Sequence, residues 1–469
     1  MAHQKISDNA ISAETIVAAL REIVSADRVS STQVDRNQHA RDQSPHPGHL
    51  PDVVIWPHTT AEVSAVLKYA NKTGLPVVAW GAATSIEGQP IPTHGGIVLD
   101  FAQMNRILKV HQNDFQVTVQ PGILYKDMNK TLANYGLFFA PDPGANASIG
   151  GMVANNAAGI RTVKYGATKD NVLALEVVLA SGEVIRTGSR SVKQSAGYDL
   201  TRLIIGSEGT LGIVTEATLK LDPLPEHFSA VTAAFPTVND AAEAVFEIIG
   251  SGLGPAALEI LDTTTVSLLN TEDGIDLPEA PTLFMEFSGA SEAALREELS
   301  MAEAICSDCN CQQFQSGVGR EVRNRLWTAR HAAFEVMVRH HPGQTYVLGD
   351  AAVPISQYPA LVAAATEIMD ELQIKGMILG HAGDGNIHTV IFYPPEDGAL
   401  RQKAEQVNQH LVERALALGG TCTGEHGVGL GKQKFMAQEH GAALAVMRQI
   451  KATLDPTGIL NPGKVLGSW

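Results

Sequence analysis

FFAPDPGANASIGGMVANNAAG, residues 138–159, is the longest small-residue stretch in the chain, and the rest of the sequence is read outward from it. Gly, Ala, Ser and Asn let the backbone approach a flat or phosphate-bearing molecule and offer it free N–H groups. A solvated linker would be polar throughout. This stretch carries Ile149, Met152 and Val153 among its glycines, so it reads as a cofactor cradle. It does not match the GxGxxG nicotinamide fingerprint at a strand-to-helix turn, nor a Walker loop. A second glycine cluster, IIGSEGTLGIVTEATLKL (204–221), reads as a strand, a tight turn and two further strands.

Around these clusters, short strands and helices alternate from Pro51 onward. VVIW (53–56), LPVVAWGAAT (75–84), GIVLDF (96–101) and QVTVQPG (116–122) read as strands. TTAEVSAVLKYANKTG (59–74) is a helix with Thr60 as candidate cap and Gly74 as stop, and YKDMNKTLANYG (125–136) is another. Residues 12–25 are helical in pattern with Ser12 as cap, and 31–50 read as a polar loop. PLPE (223–226) closes the first half. Beyond it, APTLFMEF (280–287) and MILG (377–380) are strands, and helices are expected near 238–250, 291–305 and 356–372.

The second half carries two motifs with chemistry in them. GHAGDGNIH (380–388) puts two histidines around a glycine-rich turn inside an apolar run. Asp384-Gly385 is a two-residue hairpin signal, which would oppose His381 to His388 with Cβ atoms about 4.5–5.5 Å apart. Two imidazoles at that separation can share a metal ion; the plainer alternative is a hairpin with two half-exposed histidines. GEHGVGLGK (424–432) adds a carboxylate and a histidine between glycines. Glu425 and His426 would point apart on a regular strand, but Gly424 and Gly427 permit an irregular backbone on which both face one site. His381, His388 and Glu425 then form a set of two nitrogens and one oxygen suited to zinc, manganese or iron, with His426 left as a base.

With 469 residues the chain is too long for one core, and two or three domains are expected. The net charge is −16 and no basic tract is present, which argues against nucleic acid and means that an anionic substrate needs a local cation. Three of the four cysteines cluster as CSDCNC (306–311), without the spacing of a zinc ribbon, and read as reduced surface thiols. No basic-then-apolar leader and no run of 18 apolar residues is found, so the expected location is cytoplasmic, with peripheral membrane contact open.

Residues 51–222 resemble the flavin-binding domain of the vanillyl-alcohol oxidase, or PCMH-type, superfamily, through WGAATSIEG (80–88), PDPGANASIGGMVANNAAG (141–159), YG (165–166) and GSEGTLGIVTEATL (206–219). The second half resembles the matching FAD-linked oxidase C-terminal domain, through LWTARHAAF (326–334), GHAGDGNIH, GEHGVGLGK and LDPTGILNPGK (454–464). The motifs keep their order over nearly the whole chain. The nearest subgroup is the cytochrome-linked, FAD-dependent D-lactate dehydrogenases, beside glycolate oxidase FAD subunits and D-2-hydroxyglutarate dehydrogenases. The implied fold is α+β: an N-terminal arm (1–50), an FAD-binding domain of two α/β subdomains (51–226), a substrate or cap domain with an antiparallel sheet (227–420), and a C-terminal segment (421–469) that carries Glu425 and His426 and returns to the flavin domain.

The resemblance also implies roles. Gly81, Ala82, Ala83, Thr84 and Ser85 would hold the FAD pyrophosphate, although the family has glycine where this chain has Ala83. Pro143, Gly144, Ser148, Gly151, Asn155, Gly159, Gly206, Glu208, Gly209, Ile213 and Asn461 would line the flavin. Arg330 would grip the substrate carboxylate with its planar fork. Asn386 would lie near flavin or substrate, while Phe334 and Leu348 favour a small or apolar side chain. His381, His388 and Glu425 would hold the metal, and His426 would take the hydroxyl proton as hydride passes to flavin N5. The implied reaction oxidises a D-2-hydroxy acid, D-lactate first, with glycolate and D-2-hydroxyglutarate as alternatives. Electrons would pass to a cytochrome c, a quinone or an electron-transfer flavoprotein, and a homodimer is one option for the assembly. Two other classes stand beside this reading: a metal-independent flavin oxidase using dioxygen, and a non-catalytic subunit of a larger oxidase.

Overall fold

Val53–Ile55, Val77–Trp80 and Ile97–Asp100 are apolar on both faces, and such strands must be covered on both sides. In the computed structural model, which describes residues 13–272 and 274–467, they pair in parallel within a four-stranded sheet. Helix Thr60–Thr73 packs Val63, Val66, Leu67 and Ala70 into the same core. Its cap is Thr59, not Thr60. Thr59 accepts from the Glu62 amide and Glu62 accepts from the Thr59 amide, a reciprocal capping box. The helix ends at Gly74, which takes φ +72°.

Residues 13–50 are more than an arm. Helix Ala13–Ile23 buries Ile16, Val17 and Leu20 beside Val53 and Ile55, and Val29–Ser30 pairs antiparallel with Val53–Ile55. Within the expected 31–50 loop, Thr32 caps a short helix, Gln33–Gln38. The cap expected at Ser12 lies outside the described residues.

The second subdomain is a five-stranded antiparallel sheet, ordered Ile107–His111, Gln116–Val119, Ile213–Lys220, Val172–Val178, Val184–Gly188. The small-residue stretch enters its core: Ser148 caps helix Ile149–Asn155, whose Ile149, Met152 and Val153 are buried. The 204–221 cluster differs from its reading. Ile204 ends a short helix, Leu200–Ile204, capped by Asp199, and one bulged strand, Ile213–Lys220, follows the turn instead of two.

The second half is built on a seven-stranded, wholly antiparallel sheet ordered Gln313–Val318, His227–Ala234, Thr282–Gly289, Ala257–Leu261, Met377–Gly380, Asn386–Tyr393, Thr345–Ala352. Helices Val238–Gly250 and Tyr358–Glu371 bury their apolar faces in its main core. Helix Arg320–His340 packs Ala333, Val336 and Met337 in a separate cluster with Leu379 and Val390. The C-terminal segment returns to the first sheet, where Val77 N donates to Ile459 O (2.8 Å) and Asn461 N donates to Val77 O (2.9 Å). All four cysteines are free, but Cys306 and Cys422 are buried, and only Cys309 and Cys311 keep partial exposure. Cys306 is interior because it continues the buried stripe Leu295, Leu299, Ala302 of helix Glu292–Asp308. No helix among the described residues is long and apolar enough to cross a membrane.

Candidate active site

A cavity of about 470 Å³ lies between the small-residue loops of the first half and the seven-stranded sheet. One wall is mostly backbone and small side chains: Gly81, Ala82, Ala83, Thr84, Ser85, Pro143, Gly144, Ser148, Gly151, Asn155, Glu208, Gly209 and Asn461. Ala82, Ala83 and Thr84 donate no hydrogen bond to another protein group among the described residues, so their amides are free for a ligand. Ala83 takes φ +52°, a left-handed conformation that a glycine would adopt without strain. Three expected flavin contacts stand away from this wall. Gly159 and Gly206 hold backbone turns, Gly159 so tightly that a Cβ would sit 1.8 Å from Asp142 O. Ile213 is a buried core residue lining a smaller pocket behind Gly81 and Gly209.

The opposite wall carries Arg330, Phe334, Leu348, Leu379, His381, His388, Val390, Glu425 and His426. The histidines meet, but not in the expected register. Leu379 faces His388 across the ladder, and Ala382–Asp384 form a 3₁₀ turn closed by Gly385 at φ +80°. The turn is longer than two residues because Asn386 N donates back to His381 O (3.2 Å), leaving His381 beyond the ladder's end. The two rings lie edge to face, centroids 5.3 Å apart.

Glu425 completes the group. Its Oε1 lies 3.0 Å from His381 Nε2 and 3.2 Å from His388 Nε2. Its Oε2 is buried with no partner. These ligand atoms lie within 4.8 Å of one another, and two nitrogens with one oxygen suit a divalent transition metal, so the residues fit such an ion. Burial opposes the charge on His381, but Glu259 and Glu425 outweigh it and hold the imidazole well above its ordinary range. Burial likewise opposes the Glu425 charge, and His381 and His388 outweigh it and hold the carboxyl well below its ordinary range. His426 stacks on His388 with centroids 4.9 Å apart and planes 5° apart, and burial lowers its pKa, so the ring is neutral near pH 7.

The Glu425-His426 backbone is fixed from both sides of the cavity. From the sheet, Asp350 Oδ2 accepts from the amides of Gly424 (2.8 Å), Glu425 (3.1 Å) and His426 (3.1 Å) and from the Thr423 hydroxyl (2.6 Å). From the small-residue wall, Asn155 Nδ2 donates to Glu425 O (3.0 Å), and Gln89 Nε2 donates to His426 O (2.6 Å). Glu208 accepts from the amides of Val428 (2.7 Å) and Gly429 (2.9 Å). Gly427 takes φ +83°, and a Cβ there would lie 2.4 Å from Asn155 Oδ1. Asn386 departs from its expected place. Its Nδ2 donates to Asp350 Oδ1 (2.7 Å) and Ala351 O (2.9 Å), so it supports Asp350 behind the wall.

Arg330 is buried on helix Arg320–His340 and held by Glu259, whose Oε2 accepts from Nε (2.9 Å) and Nη2 (2.6 Å). Sequence reasoning missed Glu259, Asp350 and Gln89. For Glu259 and Asp350 the available signal was a carboxylate inside an apolar strand, since buried Asp and Glu are rare unless paired.

Two family models match the chain: the FAD binding domain over residues 51–188, and the FAD linked oxidases, C-terminal domain, over residues 224–465. The chain belongs to the FAD-linked oxidases. It is 43% identical over 419 residues to the D-lactate dehydrogenase [cytochrome], mitochondrial, of Arabidopsis thaliana, covering 89% of this chain and 74% of that protein. It is 38% identical to the glycolate oxidase subunit GlcD of Bacillus subtilis (strain 168), covering 95% of each. The fold is that of 4-ethylphenol oxidase from Gulosibacter chungangensis, with a TM-score of 0.80 at 20% identity over 98% of both chains. The chain is therefore an FAD-linked, D-lactate dehydrogenase-like enzyme with a PCMH-type fold.

Proposed function

We propose that this enzyme oxidises D-lactate, or a D-2-hydroxy acid of similar size, to the 2-oxo acid with FAD and a divalent metal, zinc or manganese, with iron as a third candidate. The observation that carries the reading is the convergence of His381, His388 and Glu425 with Arg330 and His426 on one wall, facing the flavin cradle. FAD, when bound, supplies the two-electron acceptor. A divalent metal held by His381, His388 and Glu425 supplies positive charge that favours loss of a proton from a nearby hydroxyl.

The protein's own groups do the rest. Arg330 binds the substrate carboxylate through the guanidinium edge that Glu259 leaves free. His426, held neutral by burial, takes the hydroxyl proton. Asp350, Asn155 and Gln89 keep its backbone fixed while it does so. Phe334, Leu348, Leu379 and Val390 exclude water from the substrate side chain.

Substrate size follows from charge. Arg330 is the only Lys or Arg among the described residues lining the cavity, and Glu335 is also there. A second substrate carboxylate would meet apolar groups and a like charge, which favours a monocarboxylate over 2-hydroxyglutarate. Glycolate is the second reading, supported by the similarity to a glycolate oxidase subunit. The final acceptor is a cytochrome, a quinone or an electron-transfer flavoprotein. A panel of 2-hydroxy acids with a dye acceptor tests the proposal: kcat/KM should be highest for D-lactate or glycolate, and a preference for D-2-hydroxyglutarate would refute it.

A further inference from the structure

Glu259 has no place in the chemistry above, yet it touches two of its parts. It lies in strand Ala257–Leu261, which is buried along its whole length, and is itself fully buried. A buried carboxylate persists only if its oxygens are filled. Glu259 divides them: Oε2 accepts both Arg330 bonds, and Oε1 accepts from His381 Nδ1 at 2.8 Å. No other residue joins the arginine to the histidines by hydrogen bonds among the described residues. The other histidine of the group differs, since His388 Nδ1 has no hydrogen-bond partner and lies 3.6 Å from Asp350.

The second bond has a chemical consequence. An imidazole has two nitrogens, and the partner of one decides which lone pair the other offers. With Nδ1–H committed to Glu259, Nε2, which faces Glu425, is the nitrogen whose proton a metal would displace. We infer that Glu259 is a positioning residue that fixes the ligating tautomer of His381 and, through its other oxygen, sets where Arg330 stands relative to that ligand. One carboxylate thereby ties metal affinity to substrate grip. The inference rests on the reading of His381 as a metal ligand.

Glu259→Gln has nearly the same shape but only one acceptor oxygen. If the amide oxygen faces Arg330, its NH₂ opposes His381 Nδ1 and drives the proton to Nε2, which can then no longer bind a metal. If it faces His381, the NH₂ opposes a buried guanidinium. Glu259→Asp is shorter but keeps both acceptors. Zinc affinity by chelator competition, with FAD content measured on the same samples, separates the cases. Loss of a group that orients a ligand lowers metal affinity about 10–100-fold. Glu259→Gln should show a loss of that size with FAD retained, and Glu259→Asp should recover part of it; a merely space-filling role would give the reverse order.

Wild-type zinc affinity in Glu259→Gln overturns the inference. If His381→Ala also keeps zinc, the metal-site reading itself falls, and the two failures are thus distinguishable. Should Glu259→Gln not fold, the pair Glu259→Gln/Arg330→Met and Glu259→Leu/Arg330→Met carries the test, because both lack the stranded cation and only the first retains an acceptor. The first should bind zinc at least tenfold more tightly, and equal affinities overturn the inference.

Discussion

The flavin side of the cavity is made from backbone: Gly81, Gly144, Gly151 and Gly209 present main chain, and Ala82, Ala83 and Thr84 leave amides free. The facing side is made from charge: Glu259, Arg330, Asp350, His381, His388, Glu425 and His426, all buried or nearly so and joined by short polar contacts. A cradle of main chain tolerates the loss of one side chain, because most of its groups are amides. A buried ionic cluster does not, because each lost partner strands another charge. The two sides should therefore fail differently.

The largest expected effect is on the charged side. His381→Ala and His388→Ala should bring turnover near the detection limit while FAD stays bound, read by dye reduction and by the flavin spectrum. Wild-type turnover in metal-free buffer would make the histidine pair structural. Next, His426→Ala should keep metal and FAD but slow flavin reduction in single-turnover mixing by about 10²–10⁴-fold, the range for one general base. Glu425→Gln should instead lose metal and rate together; the opposite pattern would exchange the two roles. Arg330→Met should cost about 2–5 kcal/mol in kcat/KM, because it removes the substrate's cation and strands Glu259. The loss should fall mainly on KM.

These positions were legible to different degrees. The cradle and both histidine motifs stood out because their residue types are unusual for a core: runs of Gly and Asn, and histidines between glycines. The register of His381 was misread because Asp384-Gly385 looks like a two-residue turn, and only the back-bond from Asn386 N to His381 O reveals the longer one. Glu259 and Asp350 were overlooked for another reason. They lie in the strands ALEIL (257–261) and TYVLGDAA (345–352), and their partners lie far along the chain. His381 is 122 positions from Glu259, and His426 is 76 from Asp350. The N-terminal arm was underestimated because its packing depends on an apolar stripe that needs Val53 and Ile55 in place.

Smaller effects sharpen the comparison from the flavin side. Burial raises the Glu208 carboxyl from its usual 4.5 to about 7, outweighing the amides of Val428 and Gly429 that favour its charge. The folded chain thus prefers the neutral acid. That stabilisation is fully present below pH 4.5 and is lost as pH rises through about 7. Glu208→Gln should flatten the fall in stability over that window in denaturant titrations, and an unchanged slope would assign it to another group. The smallest effect is at Ala83. Glycine there removes roughly 1–2 kcal/mol of left-handed strain but adds about 0.5–1 kcal/mol of unfolded-state entropy cost, so Ala83→Gly should stabilise by about 0–1.5 kcal/mol. Destabilisation beyond that would mean that the methyl packs favourably.

The most direct test of the whole account is chelation of the purified enzyme, with metal content, FAD absorbance and D-lactate turnover followed together. The account predicts that turnover disappears with the metal, FAD absorbance stays, and added zinc or manganese restores the rate. Full turnover after metal removal, with dioxygen reduced to peroxide, would contradict it and return the enzyme to the metal-independent oxidases.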